Sequence, residues 1–159
     1  MQQNNDAQRV QDYYRQRQQQ PGWFNLVQAL FSGILTSAED EDAREFLKMI
    51  GGNLAAQHTL PAAGTVGELE DNLNALLARF DWGVVSIDAT GQYLSLRHLA
   101  WPVPSQGQDD ILWQTALIAV LEGAYGQWLN AQSNHAQVPV RWLETTAEGG
   151  FIFRYQNGL

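Results

Sequence analysis

The chain has 159 residues, 45% of them apolar, with 9 basic and 17 acidic residues for a net charge of −8. That length predicts a single domain, with enough apolar side chains to bury a core unaided by metals or disulfides. The negative balance argues against a broad basic face for nucleic acid or anionic lipid. The absence of cysteine excludes disulfide frameworks, thiol nucleophiles and Cys-ligated metals.

Residues 1–22 form a Gln-rich segment that ends at Pro21-Gly22; its first twenty residues hold eight glutamines and no apolar run. This composition reads as a mobile or partly helical arm ahead of a single domain at residues 23–159. A secretory signal needs a continuous apolar stretch behind a basic start, which the arm lacks, so the expected location is cytoplasmic. From Trp23 onward, Phe24, Val27, Leu30, Phe31, Ile34 and Leu35 recur at helical spacing. Ser37 is the expected cap of a second helix, whose first turn gathers Glu39, Asp40, Glu41 and Asp42 where the helix dipole favours negative charge. Phe46, Leu47, Ile50 and Leu54 supply its buried stripe, and Gly51-Gly52 weaken its continuation. Thr65 and Glu68 form a capping box that opens a third helix. In that helix Val66, Leu69, Leu73, Leu76, Leu77 and Phe80 share one side, leaving Glu70, Asp71, Asn72 and Asn74 on the other.

The period then changes to two. Val85 and Ile87 alternate with polar residues, Ala89-Thr90-Gly91 turns the chain, and Leu94 and Leu96 continue the alternation, which predicts a hairpin. Pro102, Pro104 and Gly107 interrupt the chain before Asp109 and Asp110 start a long apolar helix reaching about Gln132. Its residues 111–129 are long enough to raise a membrane reading. Gln114, Glu122 and Gln127 lie within them, and a carboxylate at the bilayer centre costs about 2.5–3.5 kcal/mol, so a buried helix of a water-soluble domain is expected. A second hairpin closes the chain: Val140 and Trp142, a turn at Glu148-Gly149-Gly150, then Phe151, Phe153 and Tyr155 alternating with Ile152 and Arg154. The expected architecture is α+β: three N-terminal helices, a β-hairpin, a long buried helix and a C-terminal β-hairpin. A helix apolar on every side is hard to bury within one small subunit, so the protein is expected to form oligomers.

No catalytic constellation stands out. His58, His98 and His135 lie far apart, without a second ligand at metal-binding spacing, and no phosphate-cradling glycine loop or serine elbow is present. No metal or cofactor is expected. Glu122 is the one provocative carboxyl: apolar neighbours would raise its pKa as catalysis requires, but no partner acid, base or nucleophile is nominated. Pairing with Arg79, Arg97, Arg141 or Arg154, or a place at a subunit interface, competes with catalysis. The six tryptophans could stack on sugar rings, but their spread over core-patterned segments points to core or interface anchors; Trp101, in a loop before Pro102, is the exception.

Residues 69–88 read LEDNLNALLARFDWGVVSID, and residues 119–132 read AVLEGAYGQWLNAQ. With Phe-Asn-Leu-Val-Gln-Ala-Leu from Phe24 and the closing Phe-Ile-Phe-Arg-Tyr, this pattern resembles the D-subunit family of bacterial cellulose synthase over residues 23–155. The Gln-rich arm lies outside that match. The resemblance implies a non-catalytic accessory subunit of the cellulose synthesis and export complex, built of dimers grouped into an octameric cylinder and linked to crystalline cellulose assembly. Self-association would engage Glu122, Gly123, Tyr125, Gly126, Trp128 and Trp82. A Pro-rich subunit of the same complex is a natural partner for such a scaffold. If the protein were periplasmic, glucan chains would pass through the cylinder beside Gln20, Pro21 and Gly22. Two alternatives stand beside the scaffold: a small apolar-ligand domain of the vinyl-reductase-like type, with a pocket along the long helix, and an enzyme using Glu122.

Overall fold

The computed structural model describes residues 6, 8–14, 22–103, 110–133 and 137–157. A short helix, α1, covers residues 8–14 of the Gln-rich segment. There follow α2 (Trp23–Ser37), α3 (Asp40–Gln57), α4 (Val66–Phe80), β1 (Val84–Ala89), β2 (Leu94–Leu99), α5 (Asp110–Ala131), β3 (Val140–Thr145) and β4 (Phe151–Tyr155). The fold is α+β, in the predicted element order. Its two hairpins join through β2 and β4 into one antiparallel sheet of order β1-β2-β4-β3.

Two local expectations need correction. Ser37 does not cap α3: it is the last residue of α2, and Glu39 occupies the cap position without a side-chain hydrogen bond. The acidic first turn of α3, Asp40, Glu41 and Asp42, therefore meets the helix dipole unaided by a cap. The Thr65 cap of α4 forms as expected, with Oγ1 accepting the Glu68 N–H at 3.1 Å, while the Glu68 carboxylate reaches one residue further back, to the N–H of Gly64 at 2.7 Å.

α3 runs on through Gly51 and Gly52 to Gln57. The reason lies across the helix interface. A Cβ built on Gly51 would strike the carbonyl oxygen of Val120, and one on Gly123 would strike that of Lys48. Two glycines thus let the α3 and α5 backbones touch at their crossing, and the contact outweighs the propensity each glycine loses, about 1 kcal/mol. Close packing here places the small side chains of α5 against α3: Ala116, Ala119 and Val120 join Leu47 in one buried cluster. The bulky side chains Trp113, Leu117, Leu121, Tyr125 and Trp128 join the main core with Leu96, Phe151 and Phe153 of the sheet and Leu73 and Leu77 of α4. Most of the apolar surface of α5 is therefore buried within one chain, its bulky residues in the main core and its small ones against α3, with Ile111 left exposed.

α4 also departs from its predicted polarity. Its apolar side, Leu69, Leu73, Leu76 and Leu77, is buried as expected, but Glu70 and Asn74 do not face solvent alone. They reach the outer edge of β1, where Asn74 exchanges two hydrogen bonds with the backbone of Val85, both 2.8 Å, and Glu70 accepts the N–H of Ile87 at 2.7 Å. Among the described residues, no helix is long and apolar enough to cross a membrane.

Candidate functional site

The polar centre of the molecule is His98, which sequence reasoning places at a strand end without a role. Leu94, Leu96 and His98 share one face of β2 by strand parity, which turns His98 into the core, where it is fully buried. Its Nε2 lies 2.7 Å from the carbonyl oxygen of Trp82. A carbonyl only accepts, so Nε2 carries the proton, and Nδ1 accepts from the Tyr125 hydroxyl at 2.5 Å. Burial pushes the His98 pKa down to about 4, against the smaller upward pull of the Trp82 carbonyl; burial also pushes the Tyr125 phenol well above its ordinary value. The neutral pair ties together β2, the loop just before β1, and α5. It has the pKa shifts of a reactive site but no access for a substrate.

Glu122 projects from α5 toward α3 and β3. Its pKa is raised, chiefly by burial, against the opposing pull of Lys48, the backbone N–H of Trp142, Arg141 and Arg44. Its ion-pair partner is Lys48, with Nζ at 3.9 Å, which also bonds Glu45 at 3.1 Å. Of the arginines considered from sequence, Arg141 alone bears on it. The geometry gives Glu122 a tie between three elements and no nucleophile or acid with which to react.

The structure distributes the interface candidates unevenly. Tyr125 and Trp128 are enclosed within the chain, and the Trp128 indole N–H donates to the carbonyl of His58 at 2.9 Å. Gly123 serves the α3 crossing. Tyr125 and Trp128 are thus buried within one chain, while Gly123 is half-buried at the crossing. Gly126 has open space where a Cβ would stand, and its carbonyl accepts from Asn130 at 2.8 Å. Trp82 is half-buried and walls a cavity of about 270 Å³ with Trp23, Phe24, Phe31, Phe80 and Trp113, under α2. Trp101 is not a free sugar platform: it stacks on Phe151 at 4.7 Å and donates to the Gly149 carbonyl at 2.6 Å. Gly22 is exposed, with φ 87 at the start of α2, while Gln20, Pro21 and His135 lie outside the described residues.

Exposed apolar side chains occur instead on surfaces the sequence did not single out. On α2, Trp23, Leu26 and Leu30 form an outer stripe, with Trp23 67% exposed; on α3, Phe46, Met49 and Ile50 stand outward, with Phe46 46% exposed. α2 has no buried residue at all. A second exposed set, Ile111, Trp142 and Leu143, borders a groove between the start of α5 and the edge strand β3. The signal for the first surface is present in the chain: Trp23, Leu26 and Leu30 recur at spacings of three and four, beside the inward stripe of Phe24, Val27 and Phe31.

Comparison with known proteins places these features in a family. The family model that describes the D subunit of cellulose synthase matches residues 9–156. The chain belongs to the cellulose synthase D-subunit family. A protein named "Cellulose synthase operon protein D" from Komagataeibacter xylinus is 32% identical over 112 residues, 70% of this chain and 72% of the relative. A second K. xylinus protein of that name is 31% identical over 116 residues, 73% of this chain and 74% of the relative. The family match begins at residue 9, so it takes in part of the Gln-rich segment that the motif resemblance left outside.

Proposed function

We propose that this chain is a non-catalytic accessory subunit of a cellulose synthase complex, which associates with itself to form a scaffold that organises synthases and promotes ordered cellulose assembly. The observation that carries the reading is the uncovered apolar surface of α2 and α3, with Trp23, Leu26, Leu30, Phe46, Met49 and Ile50 outward. Exposed apolar side chains gathered on two neighbouring helices favour association, and aromatic residues such as Trp23 and Phe46 are enriched at such contacts. The polar groups with perturbed pKa, His98 and Glu122, are occupied by structural contacts, which supports a role without chemistry. Dimers grouped into a larger oligomer, an octamer by resemblance, satisfy the reading. It assigns the protein to the cytoplasmic side, acting on other subunits of the complex, a Pro-rich one among them.

Light scattering on the purified chain is expected to give a mass several times that of one chain, and Leu30→Glu with Phe46→Glu to reduce it to a smaller species with an unchanged circular dichroism spectrum. An unchanged mass for the double variant removes this surface from the account. Recovery of the protein in the periplasmic fraction would favour the glucan guide instead. The cavity beneath α2 supports a second reading, an apolar-ligand domain; native mass spectrometry that finds no bound compound, and none taken up from an apolar panel, removes it.

A further inference from the structure

Among the described residues, the helices cover one face of the sheet. On the uncovered face, Arg154 of β4 and Arg141 of β3 are direct cross-strand partners, Ser95 of β2 flanks Arg154 on its other side, and Arg97 lies one row further along β2. Three of the chain's nine basic residues therefore share one surface. Two arginines opposed across a strand pair repel. The carboxylates of that face, Asp88 and Glu144, stand in flanking register positions, Glu122 of α5 attracts Arg141 from the helix side, and among the described residues none of the three arginines comes within ion-pair distance of a carboxylate. The Arg154 guanidinium lies over the Tyr93 ring, 4.1 Å from its centre, and its Nε is buried without an acceptor. The Nε is enclosed by its own chain, but a carboxylate laid against Arg141 and Arg154 would relieve their repulsion.

The chain carries a matching group. Residues 39–42, Glu-Asp-Glu-Asp, are exposed and wall an open cleft at the start of α3 with Thr36 and Ser37. No basic side chain pairs with them among the described residues. Within one chain α3 packs on α5, which separates it from the sheet, so the acidic start and the arginine face of the same chain are not joined.

We propose that the uncovered face of the sheet, through Arg97, Arg141 and Arg154, receives the acidic start of α3 from a second copy of this chain. The inference rests on the self-associating scaffold and adds a second contact to it. Because the two surfaces differ, the contact is head-to-tail and extends into a ring or a filament, which suits a subunit that arrays others. Like copies of net charge −8 repel at a distance, so this contact also fixes their orientation.

The test is a charge exchange followed by light scattering of the full chain. One variant carries Arg97→Glu with Arg141→Glu, and the other Glu39→Lys, Glu41→Lys and Asp42→Lys; Arg154 is left in place because its stem packs in the sheet. Each variant alone is expected to form a smaller species than the parent, with at least about a tenfold weaker final association step, the equivalent of 1.4 kcal/mol. Mixed in equal amounts, the two are expected to recover the parent mass, since each then offers the other a complementary surface. In about 1 M salt, where screening acts beyond about 3 Å, the parent is expected to shrink to the species of the single variants. If both variants keep the parent mass, or if mixing restores nothing, the head-to-tail contact is overturned while self-association stands. A parent protein that is monomeric at low salt overturns the scaffold reading itself.

Discussion

The two edges of the sheet are treated in opposite ways. At β1, α4 closes the edge with three side-chain hydrogen bonds, two from Asn74 to Val85 and one from Glu70 to Ile87, and both strand residues are buried. At β3, Glu122 of α5 lies near the backbone of Trp142, and Trp142 and Leu143 are each 40% exposed beside the α5 groove. The pairing of β3 with β4 is further broken by a bulge between Trp142 and Glu144, a common device for discouraging edge-to-edge addition. A free strand edge is a hazard that folds must manage. Here one edge is sealed by a helix and the other only bent.

Breaking the sealed edge is expected to have the largest effect. Asn74→Leu leaves both the N–H and the C=O of Val85 buried without partners, a loss of about 3 kcal/mol at 1–3 kcal/mol per group. Thermal unfolding is expected to fall by about 10 °C, and the freed edge to favour aggregation. Acid acts on the same region through His98, which bonds the carbonyl just before β1. Its pKa is about 4 in the fold against 6.5 when exposed, so the unfolded chain binds the proton first. The stabilisation is complete above about pH 6.5 and disappears as pH falls towards 4, amounting to about 3 kcal/mol. Denaturant midpoints across that window are expected to fall in the parent and to fall less in His98→Gln, which has no ring to protonate. Glu70→Gln retains an acceptor for the Ile87 N–H and removes only charge, a change of about 1 kcal/mol.

At the open edge the expected effects are smaller. Glu122→Gln should alter stability by under about 1 kcal/mol, because it gives up the Lys48 attraction and relieves the burial of a charge. Its sign with pH is opposite to that of His98. A raised carboxyl pKa means the folded chain holds its proton longer, so Glu122 favours folding as pH falls through that raised pKa and disfavours it above. The Gln variant should lose that component of the pH profile. A larger loss than that of Asn74→Leu would reverse the comparison between the edges.

Much of the architecture is legible in the sequence because period, caps and turns agree. The apolar stripe from Val66 to Phe80, the switch to period two at Val85 and the turn at Glu148-Gly149-Gly150 place elements to within a few residues. Long-range facts are not legible. Gly51 and Gly123 are far apart in sequence, and only their meeting explains why α3 continues through a glycine pair and why Gly123 is spent inside the chain. Asn74 and Glu70 look like solvent-facing residues because sequence shows the helix face but not the strand edge beside it. The over-apolar character of α5 points Tyr125 and Trp128 toward an interface, because sequence does not show the sheet and α4 that enclose them. The family itself is legible from the motifs at residues 69–88 and 119–132, since their order and spacing belong to the whole fold.

Self-association is tested most directly by the mass of the parent chain in solution at low salt, followed by light scattering over a dilution series. The expected result is a species several times the mass of one chain, which steps down on dilution. A single monomeric mass at every concentration would contradict it.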